Sequence, residues 1–153
     1  MANTYSQITI HCVFAVKGRK NFIDINFRDE LHKYMSGIMK NIGAFPLAIG
    51  GWSDHVHVLF ELNPNTKVSD LMRELKANSS KWINEKNFLK EKFNWQEGYG
   101  AFSYSRSQRN NVINYILNQE QHHSKKTFKD EYLEFLEKFE IEFKNEYLFE
   151  FYD

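Results

Sequence analysis

One cysteine, two prolines and seven glycines are all that this 153-residue chain holds of the residues that staple, kink or loosen a backbone. A lone Cys12 excludes an internal disulfide and any multi-cysteine zinc site. So little proline and glycine, beside 42% hydrophobic residues, argues against a long disordered segment. No apolar run approaches the roughly 18 residues that a membrane span needs. The opening Met1-Ala2-Asn3-Thr4-Tyr5 lacks the basic-then-apolar pattern of a secretion signal. The expectation is a cytoplasmic protein with no membrane partner. Net charge is zero, but its distribution is uneven. Residues 129–153 hold nine acids against three lysines, and residues 1–128 hold 17 basic side chains against 11 acids. A basic body with an acidic tail fits a modest polyanion-binding surface, or simply a solvated terminal helix.

The length suits one core. Residues 1–128 are expected to form the domain that carries the chemistry, and 129–153 an acidic helix or tail of the same domain. Alternating β-rich residues over 6–16 predict a strand, followed by a basic turn, Lys17-Gly18-Arg19-Lys20. Asp24 or Asn26 can cap a helix running to about Ile42, with Leu31, Met35, Ile38 and Met39 as its stripe. Strands follow over 46–51 and 55–62, then a helix over 68–86 with Leu71, Leu75 and Trp82 inward. A loop and fourth strand fall within 93–105, and Ser107 is expected to cap the next helix. A last amphipathic helix spans 127–139. The order β-α-β-β-α-β, then helices, is an α+β, ferredoxin-like arrangement. It has an antiparallel sheet with helices on one face, plus a C-terminal tyrosine-bearing helix.

The chemistry begins at Asp54-His55-Val56-His57-Val58-Leu59-Phe60. Side chains alternate along a strand, so His55 and His57 share one face while Val56 and Val58 enter a core. Two imidazoles about 7 Å apart along the backbone can converge on one cation. They can equally be satisfied by ordinary hydrogen bonds. Binuclear zinc hydrolases with H-x-H-x-D-H need an Asp and a His just downstream, where Val58-Leu59-Phe60 stands. Two-histidine phosphoesterases need a second motif, and the only candidate, His11-Cys12-Val13, lacks the hydroxyl residue. In the helix over 112–119, Val112, Ile113, Ile116 and Leu117 cluster on one side. Tyr115, Gln119 and His122 fall on another. Two histidines and one amide oxygen leave coordination positions that suit Mg2+ or Mn2+ on a phosphate oxygen. His122 is an alternative third ligand, and Asp54 can orient a histidine or simply form a turn.

Taken together, Asp54-His55-Val56-His57-Val58-Leu59 and Tyr115-Ile116-Leu117-Asn118-Gln119 resemble the HUH single-tyrosine transposases of bacterial insertion sequences. Domesticated relatives of these, associated with repetitive palindromic elements, share the pattern. The blocks Leu75–Ile83 and Trp95–Ser103 add to the likeness, which spans about residues 5 to 128. The resemblance implies that Tyr115 is the nucleophile and that His55, His57 and Gln119 ligate a divalent metal, Mg2+ or Mn2+. It implies a 5′-phosphotyrosine intermediate in single-stranded DNA carrying hairpins, and a homodimer with shared active sites. A domesticated nickase acting on chromosomal palindromes, or a non-catalytic nucleic-acid-binding module, are the alternatives. Lys17, Arg19, Lys20, Arg73, Lys76, Lys81, Arg106 and Arg109 are candidate phosphate contacts. Trp52, Tyr99, Phe102 and Tyr104 are candidates for stacking on unpaired bases.

Overall fold

The computed structural model describes residues 4–119 and 126–144, without the side chain of Arg19. His122, the alternative ligand, lies outside the described residues. The chain runs β1 (Thr9–Ala15), α1 (Ile25–Ile42), β2 (Ala44–Gly51), β3 (His55–Leu62), α2 (Val68–Lys86), β4 (Gly100–Tyr104), α3 (Arg109–Leu117) and α4 (Phe128–Lys138). The four strands form one antiparallel sheet in the order β2-β3-β1-β4. That order, with α1 and α2 as the crossovers, is the ferredoxin-like arrangement expected.

Register decides which residues share a face. Cys12 pairs with Val58 and Phe14 with Val56, while Val13 pairs with His57 and His11 with both Leu59 and Phe102. Facing partners point the same way. Phe14, Val56, Val58 and Phe60 therefore line one face, and His11, His55, His57 and Phe102 the other. Helices α1 and α2 cover the first face. Lys76 of α2 lies over the Phe14 ring, and Trp95, packed on Phe14 at 4.7 Å, donates to Ser79 of α2 at 2.9 Å. Helices α3 and α4 cover the second, so His55 through Phe60 are buried on both sides.

Local chemistry sets the element ends. Asp24 caps α1 by accepting from the Asn26 backbone at 2.9 Å, and Gly43 closes it at φ +97°. Phe27, Leu31, Met35 and Met39, each four residues apart, are the buried stripe, with Ile38 at its margin. In α2, Leu71 and Leu75 are buried, and Trp82 is half-buried between Tyr34 and Phe88.

Two expectations about α3 need correction. Ser105, not Ser107, begins the segment: Ser105 and Gln108 form a reciprocal capping box around a single 3-10 turn, Arg106–Gln108, that leads into α3. Leu117 is not part of the buried stripe and is 61% exposed, whereas Val112 and Ile116 are buried. The helix is turned so that its half-buried Tyr115 also faces the sheet. That turn leaves Leu117 to solvent.

Candidate active site

The site is built outward from β3. Asp54 accepts a hydrogen bond from His55 Nδ1 at 2.7 Å, which fixes the ring and aims Nε2 at the helix layer. Burial opposes a charge on His55, but the Asp54 and Glu131 carboxylates outweigh it and raise its pKa to about 9. His57 is held from behind in a similar way. Its Nδ1 lies 2.8 Å from His11 Nε2, and His11 Nδ1 lies 3.4 Å from the Tyr104 hydroxyl. Burial and the neighbouring His57 keep His11 well below the usual histidine range, so it is neutral. A neutral His11 can accept the Nδ1 proton of His57, which turns His57 Nε2 toward Glu131 on the helix side.

Tyr115 reaches these histidines because α3 lies unusually close to the sheet. A Cβ on Gly50, which pairs with His57, would come within 2.1 Å of the Ile116 carbonyl oxygen. Only a residue without a Cβ admits the helix here. Val112 and Ile116 anchor it, and the Tyr115 ring stands edge-on to His57 at 5.9 Å. One turn on, past the last residue of α3, Gln119 is buried with its Oε1 3.2 Å from His55 Nε2.

All of these groups meet at Glu131 of α4, which the sequence reading missed. Its Oε1 is 3.0 Å from His57 Nε2 and 3.4 Å from His55 Nε2. Its Oε2 accepts from the Tyr115 hydroxyl, and from Gln119 Nε2 at 3.3 Å. His55, His57 and Glu131 each offer a ligand atom, all within 4.8 Å of one another and all buried. Two imidazoles and a carboxylate converging in this way are compatible with a bound metal ion. Burial and the Glu131 carboxylate hold the Tyr115 phenol protonated well above the usual tyrosine range. The available signal for Glu131 was its position. With Phe128, Tyr132, Phe135 and Leu136 it forms one stripe of α4, and an acid on an apolar stripe needs a partner.

A sequence model of the IS200-like transposases matches residues 4–119. The chain belongs to that family. Two solved structures share the fold of this transposase. A protein of Deinococcus radiodurans named as a candidate transposase is 22% identical, with a TM-score of 0.64 over 78% of this chain and 95% of its own. A REP-associated tyrosine transposase solved with a REP hairpin is 15% identical, with a TM-score of 0.56 over 76% of this chain and 68% of its own. No curated protein is similar enough in sequence to stand as a relative.

In this transposase the family match closes at Gln119, so Glu131 and α4 lie beyond it. The candidate phosphate contacts are dispersed. Arg73 and Lys81 are exposed on α2, the layer opposite the histidines, where they meet Asp70 and Glu85. Lys76 donates to the Gln96 and Gly98 carbonyls at 2.7 and 2.8 Å, which ties α2 to the following loop. Lys17 and Lys20 gather with Lys92 around an opening beside β1, and Lys20 meets Glu91. Arg106 is exposed at the start of the tyrosine segment, and Arg109 lies 3.7 Å from Glu61. Among the stacking candidates, Phe102 and Tyr104 are buried against Phe139 and so belong to the core. Trp52 and Tyr99 are half-exposed. No helix of the described residues is long and apolar enough to cross a membrane.

Proposed function

We propose that this transposase is a metal-dependent enzyme that cuts and rejoins single-stranded DNA through Tyr115. The observation that supports this is the meeting, within one chain, of Tyr115, His55, His57 and Gln119 around a single buried carboxylate. A cavity of about 260 Å3, lined by Tyr104, Asn111, Tyr115, Glu131, Phe135 and Lys138, gives a strand access to the phenol. The tyrosine oxygen attacks phosphorus, an O–P bond forms, and the bond to the 3′ oxygen breaks. The phenol loses its proton and the departing oxygen gains one, which gives a 5′-phosphotyrosine and a free 3′-hydroxyl. The phosphodiester energy stays in the covalent bond, so another 3′-hydroxyl can reseal the strand without ATP.

His55, His57 and Gln119 are the residues that would hold a Mg2+ or Mn2+ ion. When bound, that ion withdraws charge from the phosphate oxygens and lowers the barrier to attack. Tyr115 needs such help. Ionising an ordinary phenol near neutral pH costs roughly 4 kcal/mol, and burial makes this one harder to ionise. The REP hairpin bound by one structural relative supports a hairpin-bearing strand as the substrate. A domesticated nickase would use the same residues. Terminal hairpins and a transposon boundary in the flanking DNA favour a mobile element.

The test is incubation with single-stranded DNA from the gene's own flanks and Mn2+, followed by a denaturing gel for covalent adducts. Tyr115→Phe abolishes the adduct and leaves hairpin binding within about twofold, because only the oxygen is lost. An adduct from the Phe variant sinks the assignment. A homodimer with shared sites belongs to the same proposal, since α3 follows β4 after only four residues and could dock on a partner. Mixing a His55→Ala/His57→Ala chain with a Tyr115→Phe chain restores adducts only if sites are shared. The docking of Tyr115 on its own chain's histidines is the arrangement that this mixture tests against the shared one.

A further inference from the structure

We infer that Glu131 is the anionic ligand of the cation site and at the same time the group that docks Tyr115 beside it. The inference rests on the proposed metal-dependent reaction and adds a residue from outside the family-matched segment. His55, His57 and Gln119 are neutral donors when they bind a metal. Mg2+ and Mn2+ are hard ions that favour oxygen, and above all carboxylate, ligands. Glu131 supplies that charge where the two imidazoles converge. Its carboxylate is 2% exposed and its Oε1 faces both Nε2 atoms, at 3.0 and 3.4 Å.

The second oxygen has a separate task. Oε2 accepts from the Tyr115 hydroxyl and from Gln119 Nε2. One carboxylate therefore joins the histidine strand to the tyrosine helix, with the imidazoles on one oxygen and the phenol on the other. Helix α4 is placed to do this. Thr127 caps it by accepting from the Asp130 backbone at 3.2 Å, and Phe128 stacks on His55 at 4.1 Å. Tyr132 fills the space over Gly100, where a Cβ would come within 2.9 Å of its ring. These contacts fix the first turn of α4, and Glu131 with it, directly over β3.

The experiment measures Mn2+ binding to the full chain without DNA, by electron paramagnetic resonance and calorimetry. Wild type, Glu131→Ala, Glu131→Gln, Tyr115→Phe and His55→Ala/His57→Ala are compared, with circular dichroism to check folding. Glu131→Ala weakens Mn2+ binding about tenfold or more. Glu131→Gln, which keeps an oxygen but not the charge, loses less and decides the matter if the alanine variant does not fold. Tyr115→Phe loses far less Mn2+ affinity than Glu131→Ala, because the phenol meets the oxygen that does not face the imidazoles; a loss as large as that of Glu131→Ala overturns the division of roles between the two oxygens. Equal affinity of wild type and both Glu131 variants, with binding lost in the histidine variant, overturns the role of Glu131 and leaves the proposed metal site standing. No Mn2+ binding by wild type overturns both.

Discussion

Replacing Gly50 with alanine should damage the reaction more than the fold. The added Cβ would sit 2.1 Å from the Ile116 carbonyl oxygen, 2.9 Å from its carbonyl carbon and 3.0 Å from its Cγ2. An ordinary contact is about 3.5 Å, so β2 and α3 must separate by about 1.4 Å. Two of the three obstructing atoms are backbone, so no side-chain rotation relieves the clash. Overpacking of this kind costs about 1–3 kcal/mol, because the rest of the core can yield only in part. In a chain of this size that lowers Tm by about 3–10 °C. Tyr115 precedes Ile116, so a shift of α3 carries the phenol away from Glu131 and the histidines. A misplacement of about 1 Å can cost about a hundredfold in rate. The assay pairs a melting curve with the rate of covalent adduct formation on a single-stranded oligonucleotide, measured well below the Tm of the variant. Normal adduct formation by a destabilised variant would refute the argument that close docking of α3 positions the nucleophile. A variant that melts and reacts like wild type would refute the packing itself.

His11→Phe keeps a ring in the stack between His57 and Tyr104, at 5.0 and 6.0 Å, but removes the nitrogen that faces His57 Nδ1. Mn2+ affinity should fall about tenfold, and an unchanged titration would show that His57 needs no such support. His32 on α1 gives a pH dependence unconnected with the site. Burial, with the Arg28 charge, lowers its pKa to about 4, and its Nε2 has no hydrogen-bond partner among the described residues. Its unfolded pKa is near 6.5, so between about pH 6.5 and 4 the unfolded chain binds a proton that the folded chain does not. Stability is full above that window and falls as pH drops through it, by at most about 3 kcal/mol. Urea unfolding at pH 7 and pH 5 should show a smaller difference for His32→Leu than for wild type, and equal differences would dismiss His32 as the source.

The parts of this structure that can be read from sequence are those in which neighbours in the chain are neighbours in space. The pair His55 and His57 declares a shared face because strand alternation is local. The stripe Leu31, Met35, Met39 declares a helix in the same way. Asp24 as a cap and the β-α-β-β-α-β order follow from such signals, whereas the sheet order β2-β3-β1-β4 is set by pairing between strands far apart in the chain. The spacing of Tyr115 and Gln119 places both on one side of a helix, and that side does face His57 and His55. The burial of α3 was harder to read. Leu117 fits the apolar spacing, but the sheet meets this helix on the side that carries Tyr115, and local periodicity does not encode that rotation.

Glu131, and the role of His11 behind His57, escaped for a different reason. Each is joined to the site only through tertiary pairing, Glu131 to His57 across 74 positions and His11 to His57 across 46. In sequence Glu131 sits in a segment rich in acids, where a carboxylate reads as surface. Only its alignment with Phe128, Tyr132 and Leu136 sets it apart from exposed Glu134 and Glu137. An ionised carboxylate on a buried stripe is costly unless something repays its desolvation. Here a phenol, an amide and two imidazoles surround the carboxylate and offset that cost. The acid outside the family-matched segment and the histidines within it are therefore parts of one site, since a single buried carboxylate meets both imidazoles, the phenol and the amide.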